Sequence, residues 1–190
     1  MESKIKNCIQ KAVDNYSNVL KDESLQMSIK KVIIALVAVF NEDKKVLFCG
    51  NGGSAADAQH IAAELSGRFY LDRKPLYAEA LHVNSSYMTA VANDYGFEQT
   101  YARMVEAAGK KGDVLVGIST SGNSANVVKA LVKAKQLGMI TVGFTGNHGG
   151  EMKAICDIMI QVPSEDTPRI QEAHILIGHV MCELIEKELF

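Results

Sequence analysis

Two glycine- and serine-rich segments hold the side chains best suited to bind an anion. Gly50-Asn-Gly-Gly-Ser54 follows the apolar run Val46–Cys49 and leads into a helix-forming stretch, and Ser119-Thr-Ser-Gly-Asn-Ser124 follows Val114–Ile118 in the same way. Glycine lets the backbone take positive φ and lets a ligand come close to the amides. A helix start adds unpaired N–H groups and the positive end of the helix dipole. Strand, glycine-rich turn and helix start together make an anion site. Ser119, Thr120, Ser121 and Ser124 add hydroxyl donors in the second loop. Neither loop holds a lysine or the Gly-Lys-Ser/Thr of a P-loop. The expected ligand is therefore a monophosphate held by neutral dipoles, not a triphosphate with magnesium. Serine, asparagine and glycine also suit plain caps and turns. Two such loops on one sheet edge favour ligand binding.

Ionisable groups stand in two places. His60 and Glu64 lie at i and i+4 behind the first loop, on one helix face. Both fall within ~15 Å of an anion bound at that helix start, at 1.5 Å per residue. Their neighbours Ala55, Ala56, Ala58, Ile61, Ala62, Ala63 and Leu65 predict a mostly buried helix. A buried carboxylate and imidazole need partners or a purpose. Gln171, His174 and His179 lie on the last helix. Taken alone, the two histidines read as core residues. Asn93-Asp94, before Tyr95-Gly96, reads as a turn after a helical segment. No Gly-x-Ser-x-Gly elbow and no H-E-x-x-H motif occurs, which removes the commonest hydrolases. A dinucleotide competes as ligand, because Gly50–Ala55 fits a relaxed G-x-G-x-x-A with Asp72 near the spacing of a ribose-binding acid. That acid should end a strand, whereas Arg68–Pro75 reads as a loop.

The elements that position these groups follow from periodicity. Val46–Cys49, Tyr77–His82, Val114–Ile118, Ile140–Phe144 and Ile158–Val162 read as strands. Helices are expected over Ala55–Ser66, Ser86–Ala92, Gln99–Ala107, Ala125–Leu137 and Glu151–Ile155, with a long last one from Pro168 to Leu189 capped by Thr167. Uniformly apolar strands alternating with helices imply an α/β fold with a parallel sheet covered on both faces. Right-handed crossovers then bring both loops to one edge. Two amphipathic helices come first, with Asp22 or Ser24 able to cap the second. They form an appendage, residues 1–42, ahead of an α/β core, residues 43–190, in a single domain. Their apolar faces predict helix-mediated oligomerisation.

Bulk properties bound the rest. Among 190 residues, 47% are hydrophobic and 22% charged, which is ordinary for a globular chain. A net charge of −2 gives no general attraction for nucleic acid or anionic membrane. No apolar run approaches the ~20 residues of a membrane span, and the charged N-terminus does not read as a signal peptide. A cytosolic protein is expected. Cys8, Cys49, Cys156 and Cys182 are scattered among apolar neighbours and read as four buried small hydrophobes.

A resemblance extends this reading. Cys49-Gly-Asn-Gly-Gly-Ser-Ala-Ala-Asp57, His60, Glu64-Leu-Ser-Gly-Arg68, Asn93-Asp-Tyr-Gly-Phe97, Gly117–Ser124, Arg169-Ile-Gln-Glu-x-His174 and His179 resemble the bacterial phosphoheptose isomerases of the sugar-isomerase (SIS) superfamily. The resemblance spans nearly the whole chain. It implies a three-layer α/β/α, flavodoxin-like fold with a five-stranded parallel sheet. It implies conversion of D-sedoheptulose 7-phosphate to D-glycero-D-manno-heptose 7-phosphate, the first step toward activated heptose for lipopolysaccharide core or surface glycans. It also implies a cytoplasmic homotetramer with active sites between subunits. By position, Asn51, Gly52, Gly53, Ser54, Glu64, Asn93, Asp94, Ser119, Thr120, Ser121, Ser124 and Gln171 would bind substrate. Glu64 and His179 would form the acid/base pair, and His60, Glu64, Gln171 and His179 would hold one zinc ion per subunit, with no nucleotide cofactor. Pro168 fills a variable place before Arg169. Gln171 and His179 are eight residues apart, ~12 Å along a helix axis, so one ion reaches both only if the side chains lean together or come from different subunits.

The alternatives are a non-catalytic SIS protein, sensing a sugar phosphate or binding the replication initiator, and a dinucleotide-dependent oxidoreductase. A pure binder needs only the loops. The presence of His60–Glu64 and Gln171–His179 favours catalysis.

Overall fold

The computed structural model describes residues 1–190. Five strands, β1 Val46–Gly50, β2 Ala78–Ala80, β3 Val114–Ile118, β4 Ile140–Thr145 and β5 Ile158–Gln161, form one sheet in the order β2-β1-β3-β4-β5. Every pairing is parallel, with Val46 opposite Val114 and Val114 opposite Ile140. This is the flavodoxin-like order, in which the chain reverses direction between β1 and β3. Both glycine- and serine-rich loops leave the sheet at that reversal.

Alternation along the strands divides the core into two. Val46, Phe48, Val114, Val116, Val142 and Phe144 point to one face, where α2 (Glu23–Asn41), α3 (Gly53–Ser66) and α7 (Thr167–Leu189) pack. Leu47, Cys49 and Leu115 point to the other, beneath α5 (Thr100–Ala108) and α6 (Ala125–Gln136). The remaining helices are α1 (Glu2–Lys21) and α4 (Ser85–Tyr95), and two 3-10 turns, Phe97–Gln99 and Gly150–Ala154, complete the chain.

Several expectations change. β2 is only Ala78–Ala80, shorter than Tyr77–His82, because it lies at the sheet edge and pairs with β1 alone. Glu151–Ile155 forms a 3-10 turn rather than an α-helix. Asp22 caps α2, its side chain accepting from the Leu25 amide at 2.9 Å. Thr167 is not the cap of α7. Asp166 takes that position, Thr167 is the first helical residue, and no side chain caps the end. Cys8 is exposed on α1 and Cys156 is half-buried, so only Cys49 and Cys182 are core cysteines.

The two N-terminal helices behave differently. α2 buries Leu25, Val32, Ile33, Leu36, Val39 and Phe40 in the chain's own core. α1 buries only Asn15 and Val19. Its apolar stripe Ile5, Ile9, Val13, Tyr16 and Leu20 stays exposed. α1 therefore leaves its apolar face open, whereas α2 spends most of its own on the core and exposes only Met27 and Ile34 among its large apolar residues.

Candidate active site

The two loops sit side by side at the ends of β1 and β3. Gly52 takes φ +55° at the turn into α3, a conformation that L side chains rarely adopt. A Cβ on Gly50 would stand 2.6 Å from the Ser54 carbonyl oxygen, so the helix can begin this close to the strand only at glycine. In the second loop Gly122 takes φ +70°, and a Cβ there would lie 2.2 Å from the carbonyl oxygen of Gly149. The turn after β4 thus packs directly under the loop. Asn123 joins the two by accepting from the Glu151 amide at 2.8 Å.

The hydroxyls do not act as helix caps. Ser124 occupies the N-cap position of α6 but makes no capping bond. Its Oγ meets Ser119 Oγ at 2.9 Å, and Ser119 Oγ lies 3.4 Å from Ser121 Oγ. This hydroxyl cluster leaves the start of α6 uncapped by Ser124. Asn51 and Asn126 bridge the first loop to the first turn of α6, just past the second loop, with a reciprocal pair of amide bonds at 2.8 and 2.9 Å. Asn126 is buried, and nothing in its local sequence marks it as a partner of a residue 75 positions away.

Behind the loops α3 and α7 run in the same direction. Gln171 packs its amide against Gly53, where a Cβ would stand 2.4 Å from Nε2. Farther along, Gly178 faces Ile61, and a Cβ there would come within 2.6 Å of that side chain. The close approach at Gly178 brings His60 and His179 together. Their Nε2 atoms are 3.4 Å apart and their rings meet edge to face at 5.0 Å between centroids. Glu64 Oε1 lies 3.2 Å from His60 Nε2. His60, Glu64 and His179 each offer one ligand atom within 4.8 Å of the others. Tetrahedral zinc ligands at about 2.0–2.1 Å lie roughly 3.3–3.4 Å apart, so the two imidazoles and the carboxylate fit such an ion. Gln171 lies beside Gly53, seven residues before His60 on α3, which is about 10 Å along the helix.

The expected burial of α3 is not observed. Ser54, Ala58, Ile61, Ala62 and Leu65 are buried, while the His60 side chain is 48% exposed and that of Glu64 27%. Small alanines do not force burial, and the opposite face of α3 is open. His174 is a core histidine, as its surroundings predict. Its Nε2–H donates to the Thr145 carbonyl at 3.1 Å, and burial first of all pulls its pKa down to about 4. Asn93 and Asp94 lie in the last turn of α4, not in a loop, and are exposed. Asn93 Nδ2 donates to Asp94 Oδ1 at 2.8 Å. Asp72 sits in the exposed segment before β2 rather than at a strand end, where a ribose-binding acid would be.

Other residues that support the site are given no role by residue type or spacing, although Asp57 closes the Cys49–Asp57 motif. Asp57 precedes His60 by one turn of α3, and burial raises its carboxyl to about 6, against the opposing effect of His60. Phe69 lies beside the His179 ring at 5.8 Å. The irregular segment that carries Phe69 away from α3 is tied down by Glu186, which accepts from the amides of Phe69, Tyr70 and Leu71 at 3.3, 2.8 and 3.0 Å. Glu186 also pairs with Arg73 Nε at 2.9 Å, and both side chains are almost wholly buried. Arg73 then donates to the carbonyls of Glu64 and Leu65 at 3.0 and 2.8 Å, closing the last turn of α3.

Known proteins are similar to this chain in sequence and in fold. The SIS-domain family matches residues 9–146. A phosphoheptose isomerase of Clostridium acetobutylicum is 52% identical over 100% of this chain and 97% of its own length. One from Helicobacter pylori is 53% identical over 96% of each. The solved phosphoheptose isomerase of Neisseria gonorrhoeae superposes with a TM-score of 0.92 at 40% identity, covering 98% of both chains.

Proposed function

The chain belongs to the SIS-domain family, alongside the phosphoheptose isomerases, and from that premise we propose that it converts D-sedoheptulose 7-phosphate to D-glycero-D-manno-heptose 7-phosphate. One observation carries the reading. Two imidazoles and a carboxylate converge on α3 and α7 directly behind a pair of phosphate loops. A protein that only bound the phosphate would need the loops alone.

The reaction moves a proton from C1 to C2 of the open-chain ketose through an enediol. It needs a base at those carbons and a proton donor to their oxygens. The serine loop and the start of α6 hold the phosphate, and Gly52, Gly53 and Ser54 hold the chain of the sugar through the start of α3. Glu64 takes the carbon-bound proton from C1 and returns it to C2. His179 exchanges the proton between the C1 and C2 oxygens. Phe69 and the close packing at Gly178 keep its ring in place. Asn93, Asp94 and Gln171 complete the substrate contacts. His60, Glu64 and His179 would hold a zinc ion, with Gln171 a fourth ligand by resemblance. Zinc so held would polarise the substrate oxygens and stabilise negative charge on them.

The assembly in this reading is a cytoplasmic homotetramer with active sites between subunits. Its support is the exposed stripe on α1, continued by Met27 and Ile34 on α2 and Leu176, Val180 and Leu184 on α7. The open side of His60 accords with a site finished by a neighbour. Ile9→Asp, placed on that stripe, should reduce the particle mass seen by light scattering while the fold persists. An unchanged mass would remove α1 from the interface.

The function itself is tested by incubating the purified protein with sedoheptulose 7-phosphate and following aldose formation. Metal analysis and a chelator are added as separate arms. The expected result is turnover that falls on chelation, with about one zinc per chain in protein never exposed to chelator. No turnover with or without added zinc would overturn the isomerase reading. Turnover that ignores chelation, in protein free of metal, would remove zinc alone.

A further inference from the structure

Asn51 and Asn126 make the only side-chain hydrogen bonds between the first loop and the start of α6, the helix that the second loop leads into. Asn51 Nδ2 donates to Asn126 Oδ1 at 2.8 Å, and Asn126 Nδ2 donates back to Asn51 Oδ1 at 2.9 Å. The second lone pair of Asn126 Oδ1 accepts from the Val127 amide at 3.0 Å, inside the first turn of α6. Asn126 is 3% exposed. The amide of Asn51 is therefore committed to a buried partner on both its donor and its acceptor side.

The neighbouring contacts stiffen the same joint. On the other side of the first loop the buried Tyr101 hydroxyl donates to the Gly50 carbonyl. Gly50 and Asn51 are thus held from α5 and from α6 at the point where the strand ends. The amides that follow, at Gly52, Gly53 and Ser54, inherit that position. A sugar phosphate lying across both loops needs them at a fixed separation, because its phosphate and its carbon chain are covalently joined. Orientation fixed before binding lowers the free energy lost in ordering the complex.

We propose that Asn126 is a positioning residue for the sugar phosphate, setting the spacing of the two loops through Asn51. On this assignment, which rests on the isomerase reading, the Asn51 side chain is the other half of a bridge. Substrate meets this loop through its backbone and Ser54. Loss of the Asn51 amide leaves the buried Asn126 Nδ2 without its partner, loss of the Asn126 amide releases the half-buried Asn51 side chain, and in either case the first loop drifts relative to the hydroxyl cluster. The damage falls on binding of ground state and transition state alike, so KM changes and kcat does not.

The test is a double-mutant cycle of Asn51→Ala and Asn126→Ala, reading KM, kcat and calorimetric affinity for sedoheptulose 7-phosphate. Each single variant should raise KM and the dissociation constant by about tenfold, the size of one buried hydrogen bond left unmade, with kcat within about threefold. The double variant should be no worse than either single one, because the bridge is lost only once. A double effect equal to the product of the two single effects would show direct substrate contact by Asn51 and overturn the assignment. So would native KM and affinity in folded Asn126→Ala. If alanine at 126 prevents folding, Asn126→Ser keeps a local acceptor for the first turn of α6 and must show the same rise. Calorimetric binding judges the bridge even if the native protein shows no turnover, an outcome that would count against the isomerase reading alone.

Discussion

Glu64→Gln should lower kcat for sedoheptulose 7-phosphate by about 10²–10⁴-fold, the range for removing a general acid–base group. Affinity for the substrate should stay within a few fold. The amide is nearly isosteric, so the i,i+4 contact with His60 and the packing of α3 survive. It cannot take a proton from carbon. The carboxylate stands 3.2 Å from one imidazole, and that imidazole stands 3.4 Å from another, so the change removes the one anionic member of the cluster. Single-turnover kinetics together with calorimetry separate the two effects. Native kcat would take Glu64 out of the mechanism. Loss of affinity as large as the loss of kcat would make it a binding group instead. Zinc content of the variant tests the proposed metal-ligand role of Glu64, one of the three residues whose ligand atoms cluster.

Arg73→Ala has the largest expected effect on stability. Arg73 and Glu186 are 3% and 2% exposed, and removing the cation strands a buried carboxylate. Breaking such a pair costs about 3–5 kcal/mol. At about 2–4 °C per kcal/mol for a chain of this size, Tm should fall by roughly 6–20 °C. The dependence on pH identifies the cause. Burial alone would raise the Glu186 carboxyl, but the amides of Leu71, Tyr70 and Phe69 and the Arg73 guanidinium hold it below the usual glutamate value. A depressed carboxyl contributes stability that is fully present above its unfolded pKa, about 4.3, and is lost as pH falls through the folded value. The gap in Tm between native protein and Arg73→Ala should therefore narrow below about pH 4.3. A gap independent of pH would mean that Arg73 matters through its bonds to the Glu64 and Leu65 carbonyls and not through its charge. Turnover should fall as well, because those bonds hold the end of the helix that carries Glu64.

Much of this was legible beforehand. Apolar runs such as Val46–Cys49 and Val114–Ile118 are buried at every position because they are inner strands covered on both faces. Period-3.6 patterns fixed the helices, and glycines at turns marked where the backbone takes positive φ. His60 and Glu64 share a face by spacing alone. Errors arose where packing decides: Cys8 on α1 and the outer face of α3 are apolar or small in sequence, yet exposed. Asn93 and Asp94 have turn-forming types but extend α4 by one turn. The resemblance supplied the pairing of His179 with His60, for which the chain has no local signal.

Sequence by itself determined the sheet, the two loops and the helix-borne pair His60–Glu64, because each depends on neighbours within a few residues. Tertiary structure alone decided which distant groups meet. His60 reaches His179 across 119 residues because Gly178 lets two parallel helices touch, and Asn51 reaches Asn126 across 75 because the order of strands puts β1 beside β3. Periodicity records which way a side chain points. It does not record what stands opposite, since that depends on how the covered faces pack.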